Sequence, residues 1–240
     1  MTSRFVIFGQ SRSGSTLLVE LMRNHPRVHC DGELLNFEAG YIRHRLLLKA
    51  IRRCPLPYFA YMKRKASSPV YGFKLLLNQL RHARQNLKAM HLLGWKFIRV
   101  RRRNIVHQAL SGVIAKKTRR WHRRDDDDSP ETILTISREE LRAGLALREA
   151  WRRREAALIA DIEHLDLVYE DDLELESNWP AAAERTATYL EIEPFDPQHV
   201  SVKRIAVLPY RERIANYLEL EDYLVDLGYR AYLTEPQHLR

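Results

Sequence analysis

A chain of 240 residues with 45% hydrophobic and 30% charged side chains can bury one good core, so a single α/β domain over residues 1–240 is expected. Its net charge of +9 and pI near 9.7 call for an anionic partner, a demand that nucleotide, nucleic acid, acidic glycan or membrane surface would each meet. Two cysteines, Cys30 and Cys54, exclude a disulfide framework and suit a reducing compartment. No apolar run approaches the ~20 residues of a membrane helix, and the opening strand leaves no space for a signal peptide, so a cytoplasmic location is expected.

Phe5-Val6-Ile7-Phe8 reads as a buried strand and residues 9–16 as a tight polar turn. Leu17, Leu18, Leu21 and Met22 form the apolar face of a helix that ends at Asn24-His25-Pro26. Strand, glycine-bearing loop and helix N-terminus bring unpaired N–H groups and a helix dipole to one point, which suits a phosphate. The loop keeps the Gly9-x4-Gly14 frame of a nucleoside-triphosphate loop, but Ser15 stands where G-x-x-x-x-G-K-[ST] has its lysine. The positive charge sits at Arg12 instead. An anionic ligand other than ATP is expected.

Val28-His29-Cys30 is a second strand, and Asp31-Gly32-Glu33 is expected to turn at its C-terminal end, where parallel sheets hold ligands. Glu33 there is either a site residue or a cap for the next turn. Apolar and basic residues alternate at helical spacing over 41–66, with Pro55 and Pro57 as breaks. Residues 35–68 therefore read as a helical insertion or lid of the kind that shapes an acceptor pocket. Residues 70–75 form a third strand carrying Lys74, which must snorkel, pair or face a ligand, and a helix over 77–93 follows. Residues 96–101 form a fourth strand, closed by Arg102-Arg103-Asn104, where a helix over 105–115 begins. This second strand-to-helix junction makes a second anion site, with Arg103 and Ser111 eight residues apart.

Residues 116–135 join a basic run to Asp125-Asp126-Asp127-Asp128 and read as a charged mobile loop. Ser137 followed by Glu140 marks a helix entry, and that helix is expected to run to about 163. Residues 165–169 form a fifth strand ending in Glu170-Asp171-Asp172-Leu173, before a helix over about 178–190. The tail carries Lys203, Arg204, Arg211 and Arg213 ahead of an amphipathic helix. No metal-ligand spacing occurs, so no metal is expected, and His25, His29 and His107 read as structural. No G-x-S-x-G elbow suggests a hydrolase.

Two anion sites at strand-to-helix junctions point to one ligand with two separated phosphate groups. At these motifs the chain resembles the PAPS-dependent sulfotransferases. Residues 10–18 are similar to their 5′-phosphosulfate loop, and residues 103–111 to their 3′-phosphate element. The bacterial carbohydrate-type branch is the nearest in pattern, with R-S-G-S-T, G-F-K-L, R-R-N-x4-A-x-S and Y-E-D-L. The last occurs here as Tyr169-Glu170-Asp171 with an extra Asp172 before Leu173, and Ile214-Ala215-Asn216-Tyr217 is similar in the tail. The resemblance covers most of the chain and is weakest over 35–68 and 116–135.

The resemblance implies a P-loop α/β fold: a central parallel sheet of about five strands flanked by helices. It implies 3′-phosphoadenylyl sulfate (PAPS) as co-substrate without a metal, and in-line sulfuryl transfer to a hydroxyl of a carbohydrate or glycolipid. Arg12 then steadies the leaving oxygen, and the loop residues Ser13, Gly14, Ser15 and Thr16 hold the 5′-phosphate. Arg103 and Ser111 hold the 3′-phosphate, while Arg204 and Arg211 close over the nucleotide. Glu33 matches the branch's general base, with His29 as the alternate, and Lys74 faces the sulfuryl group or the acceptor. Trp121 either stacks on adenine or lines the acceptor mouth. A P-loop kinase would need a lysine after Gly14 and a Mg²⁺-holding aspartate, for which only Asp171 or Asp172 is placed. A nucleic-acid-binding protein would use the arginine-rich stretch 99–124 and show steep salt dependence; no nucleic-acid partner is expected.

Overall fold

The computed structural model describes residues 3–66, 68–120, 123–124, 132–197, 202–203 and 209–233. In chain order it runs β1 (Ser3–Gly9), α1 (Ser15–Arg23), β2 (Val28–Glu33), α2 (Arg45–Ile51), α3 (Leu56–Ala66), β3 (Val70–Leu76), α4 (Ala83–Leu92), β4 (Lys96–Arg101) and α5 (Ile105–Thr118). Then follow β5 (Arg123–Arg124), α6 (Arg138–Ile159), β6 (His164–Val168), α7 (Trp179–Leu190), β7 (Val202–Lys203), α8 (Tyr210–Arg213) and α9 (Tyr217–Asp226). Five strands form one parallel sheet in the order β2-β3-β1-β4-β6, and β5 pairs with β7 in a small antiparallel ribbon. No helix among the described residues is long and apolar enough to cross a membrane.

The central strand β1 is apolar on both faces, as a strand covered on both sides must be. Phe5 and Ile7 pack with Leu18 and Met22 of α1 and Ala182 of α7. Val6 and Phe8 pack with Phe59 of α3, Leu87 and Met90 of α4, and Ile159 at the end of α6. A third cluster joins α5, α6, α8 and α9 through Ile105, Leu145, Tyr210 and Leu220. Crossover handedness explains the split. The β1-to-β2 connection moves one way across the sheet, and the connections through β3, β4 and β6 move the other way. Right-handed crossovers then put α1 on one face and α3, α4 and α6 on the opposite face. The C-terminal end of β1 is therefore the switch point, where a crevice opens for a ligand.

Several boundaries differ from the sequence expectation. Asp31-Gly32-Glu33 is not a turn: β2 continues through Glu33, with its register to β3 shifting between Asp31 and Glu33. That shift sets Glu33 beside Lys74. The helix expected from 77 begins at Ala83, because the Leu77 N–H donates to the Gly9 carbonyl (3.0 Å) and the Leu76 N–H to Gln79 Oε1 (3.0 Å). These bonds hold 77–82 as a turn across the ends of β1 and β3. Helix α5 runs on to Thr118, so the charged segment begins later than 116, and its far end is tied down by Leu134 N–H to Arg213 O at 2.8 Å. Helix α6 stops at Ile159, and Tyr169 opens a π-helical turn (Tyr169–Leu173) instead of closing the last strand. The insertion over 35–68 is helical as expected; Pro55 lies in the break between α2 and α3, whereas Pro57 does not break the chain but sits in the first turn of α3, where its missing N–H costs nothing. Asp125, Asp126, Asp127, Asp128, Trp121 and Arg204 lie outside the described residues.

Candidate active site

The loop between β1 and α1 takes two left-handed residues, Arg12 (φ 66°) and Gly14 (φ 92°). At Gly14 no other residue fits, because a Cβ would lie 2.5 Å from Cδ2 of Tyr169 as well as straining the backbone. No side chain caps α1, so its first amides remain directed at the loop. Ser13 Oγ and Gln10 Oε1 are buried in the same loop with no hydrogen-bond partner among the described residues. Buried polar atoms are rarely left so; of the two, the Ser13 hydroxyl can donate to an anionic ligand in the loop.

On the β3 side of the loop, Glu33 is fully engaged. Lys74 Nζ lies 2.8 Å from Glu33 Oε1 and donates to Thr16 Oγ1 at 2.8 Å. Gln79 Nε2 donates to Glu33 Oε2 at 2.8 Å, and Asn36 Nδ2 to the same oxygen at 3.3 Å. Gln79 is itself fixed by the Leu76 N–H on its Oε1. Lys74 is only 5% exposed, and burial pulls its pKa below the usual lysine range against the pull of Glu33. A lysine from β3 thus brings to Thr16 the ammonium that the loop lacks at Ser15. This lysine also connects the carboxylate to the loop.

On the β4 side the chemistry is cationic. Arg12 Nε donates to Ser111 Oγ at 2.9 Å, joining the loop to α5. Burial, then the charge of Arg102, lowers the Arg12 pKa to about 10. Arg148 of α6 is likewise held at about 10 by burial, Arg12 and Arg102, and donates to Ser11 O and Ser11 Oγ at 3.1 Å. Against the pull of burial, Arg102 itself is held above the usual arginine range by Tyr210, Tyr169 and Glu170. The lowered guanidiniums are therefore those of Arg12 and Arg148, and these two buried groups favour an anion beside them. Next to them lies a cavity of about 320 Å³ lined by Gln10, Ser13, Arg102, Arg103, Gln108 and Arg152, among others. That volume is at the small end of the range usual for ligand pockets, roughly 300–1,000 Å³.

The Tyr-Glu-Asp motif supports this side structurally. Tyr169 packs against Gly14 and lies 4.7 Å beneath the Arg102 guanidinium. Glu170 accepts from the backbone N–H groups of Arg103 (2.8 Å) and Asn104 (3.0 Å) at the entry to α5, whose cap is the Asn104 side chain. Asp172 accepts from Val168 N–H at 2.6 Å and pairs with Arg185 at 2.5 Å. Asp171 pairs with the Arg103 guanidinium. Each acidic group already has a structural task, and neither aspartate is set out for a metal; no cluster of metal ligands occurs among the described residues.

The structure brings Glu33, Lys74 and Thr16 together, and separately Arg12 and Ser111. Arg103 turns to Asp171 and does not bond Ser111. Arg211 points outward to Glu221 (2.8 Å), because the single turn of α8 buries Tyr210 and Arg213 and turns the residues between them to solvent. Arg213, one turn-position away, is the tail arginine whose charge reaches Arg12. His29 Nε2 meets Asp31 Oδ1 at 3.3 Å and its ring stacks on Tyr71. His25 and His107 are buried and bonded within the core framework. Sequence reasoning missed Gln79, Arg102 and Arg148. Arg148 carried a usable signal: with Leu141 and Leu145 it falls at i, i+4, i+7 on the buried stripe of α6, where an arginine needs an explanation.

No protein-family model matches the chain. Its fold is similar to that of solved sulfotransferases. It superposes on mouse sulfotransferase SULT7A1, solved in complex with PAP, with a TM-score of 0.50 at 14% identity, covering 97% of this chain and 83% of that one. It superposes equally on the sulfotransferase domain from the Synechococcus PCC 7002 olefin synthase, with a TM-score of 0.50 at 19% identity over 99% of this chain and 90% of that one. In sequence it is similar to nodulation protein H of Rhizobium meliloti (strain 1021), 32% identical over 133 residues. That match covers 52% of this chain and 52% of the relative, so the chain is matched to about half the relative's length.

Proposed function

We propose that this chain transfers a sulfuryl group from PAPS to an acceptor hydroxyl, with a carbohydrate or glycolipid as the acceptor class. The observation that carries this reading is the 2.9 Å bond between Arg12 and Ser111. It joins the loop's cation to the second anion element, so that one ligand with phosphates at both ends spans them. The likeness in fold to a sulfotransferase solved with PAP supports the choice of nucleotide. The unpartnered Ser13 hydroxyl and the buried guanidiniums of Arg12 and Arg148 fit an anion in the loop.

In this reading Glu33 removes the acceptor's proton as its oxygen attacks sulfur. The bond from sulfur to the bridging phosphate oxygen breaks, and adenosine 3′,5′-bisphosphate leaves with the electron pair. Arg12 neutralises the charge that grows on that oxygen, and Lys74 steadies the sulfuryl oxygens from the other side. Loop amides with Ser13, Ser15 and Thr16 hold the 5′-phosphate. Arg103, released from Asp171, holds the 3′-phosphate with Ser111. Glu33 is preferred to His29 as base because the lysine it pairs with is bonded to Thr16 of the loop, a tie to the loop that His29, paired with Asp31, lacks.

Titration calorimetry with adenosine 3′,5′-bisphosphate and with ATP tests the donor. The bisphosphate is expected to bind and ATP to bind much more weakly. Equal affinities, or no heat from the bisphosphate, would sink the reading.

A further inference from the structure

The helical insertion contains a surface that the transfer reaction does not use. Between Glu38 and Asp125 the sequence has no aspartate or glutamate, yet it holds 23 of the chain's 40 lysines and arginines. Within that stretch, α2 presents Leu46 (80% exposed) and Leu47 (51% exposed) side by side to solvent, and α3 presents Tyr61 (51% exposed). Arg43, Lys49 and Arg53 stand exposed beside these leucines, and none has a carboxylate partner among the described residues. Apolar side chains standing out of a basic, acid-free helical surface match the two layers of a lipid interface. The leucines and tyrosine suit the acyl boundary, and the cations suit anionic headgroups.

We propose that α2 and α3 seat this protein on an anionic lipid surface. Charge complementarity selects a negatively charged partner, and the exposed leucines select lipid over nucleic acid, which would use the cations and leave Leu46 and Leu47 in water. The insertion leads on from Glu33 and Asn36, so the seat holds the acceptor side of the site towards the headgroup layer. The inference does not depend on the identity of the donor or the reaction.

Sedimentation of the whole chain with phosphatidylglycerol or phosphatidylcholine vesicles tests it. Binding to the anionic vesicles is expected, with little to the zwitterionic ones. The Arg43→Gln, Lys49→Gln, Arg53→Gln variant should bind roughly a hundredfold less, from about fivefold per charge near such a surface. The Leu46→Ser, Leu47→Ser variant should bind about tenfold less or weaker, with unchanged thermal unfolding because these side chains are exposed. A Leu46→Trp variant adds an emission that should shift to the blue on the vesicles. Equal binding to both lipids, an unshifted emission or no loss in the leucine variant would overturn the proposal. So would an oligonucleotide that binds as tightly and is lost in the leucine variant.

Discussion

The two flanks of β1 solve opposite problems. On the β3 flank, Glu33 has both oxygens occupied, by Lys74 on one and by Gln79 and Asn36 on the other, and Lys74 is bonded onward to Thr16. On the β4 flank, Arg12, Arg102 and Arg148 crowd together while Ser13 Oγ, Gln10 Oε1 and Arg102 Nε, all lining one cavity, are buried without hydrogen bonds. One flank is satisfied before any ligand arrives, as a preorganised reacting group should be. The other keeps the buried Ser13 hydroxyl without a hydrogen bond close to the lowered guanidiniums of Arg12 and Arg148, an arrangement that suits an anion. In the proposed reaction the division separates holding the donor from activating the acceptor, and it can be broken one side at a time.

The largest effect is expected from Glu33→Gln. Turnover should fall roughly 10²- to 10⁴-fold while the bisphosphate binds as before, because the base belongs to the satisfied flank. Steady-state kinetics with calorimetry checks it; an active variant would remove Glu33 from its role. Next, Arg103→Ala should weaken adenosine 3′,5′-bisphosphate by about ten- to hundredfold and adenosine 5′-phosphate hardly at all, the loss of one charge-assisted contact. Uniform weakening of both nucleotides would place Arg103 outside the 3′ site.

Gln79→Ala tests whether the β3 flank is preorganised as the hydrogen bonds indicate. With one donor to Glu33 removed, kcat should drop about three- to tenfold with donor KM unchanged, whereas a fall in kcat with a rise in donor KM would mean that the turn after β3 has collapsed. The smallest effect concerns pH. Arg12 and Arg148, lowered to about 10, carry their charge below that value and lose it above. Bisphosphate affinity should therefore be flat near neutrality and fall as pH rises through about 10, more than two units before an ordinary arginine would titrate. A flat profile through that range would contradict the buried-arginine account.

Legibility in the sequence tracked the range of the interactions. The phosphate loop, the arginine-to-serine element and the α6 capping box are local patterns. Each could be read because its residues lie within ten positions of one another and act through backbone geometry. Glu33 and Lys74 were legible as candidates only singly. Their pairing depends on the register shift in β2, which turned an expected turn into strand and brought the carboxylate to the lysine. Gln79 was hidden inside an expected helix, because the hydrogen bond that starts the turn, from the Leu77 N–H, is accepted by Gly9, far away in sequence. Arg211 and Arg213 could not be told apart in the sequence for a similar reason: only the single turn of α8 decides that Arg213 is buried while Arg211 pairs with Glu221.

Composition and local pattern by themselves determined an α/β chain whose glycine loop lacks the phosphate-loop lysine and whose fourth strand ends in arginines at a helix start. Those properties follow from strand alternation, from helix termini and from the side-chain types available, all of which act over a few residues. Tertiary structure alone decided how the two elements meet. Parallel pairing of β1 with both β3 and β4 set Lys74 on one side of the loop and Ser111 on the other. Parallel strands need long crossovers, so residues that meet across the crevice are dozens of positions apart, and no local pattern records the meeting.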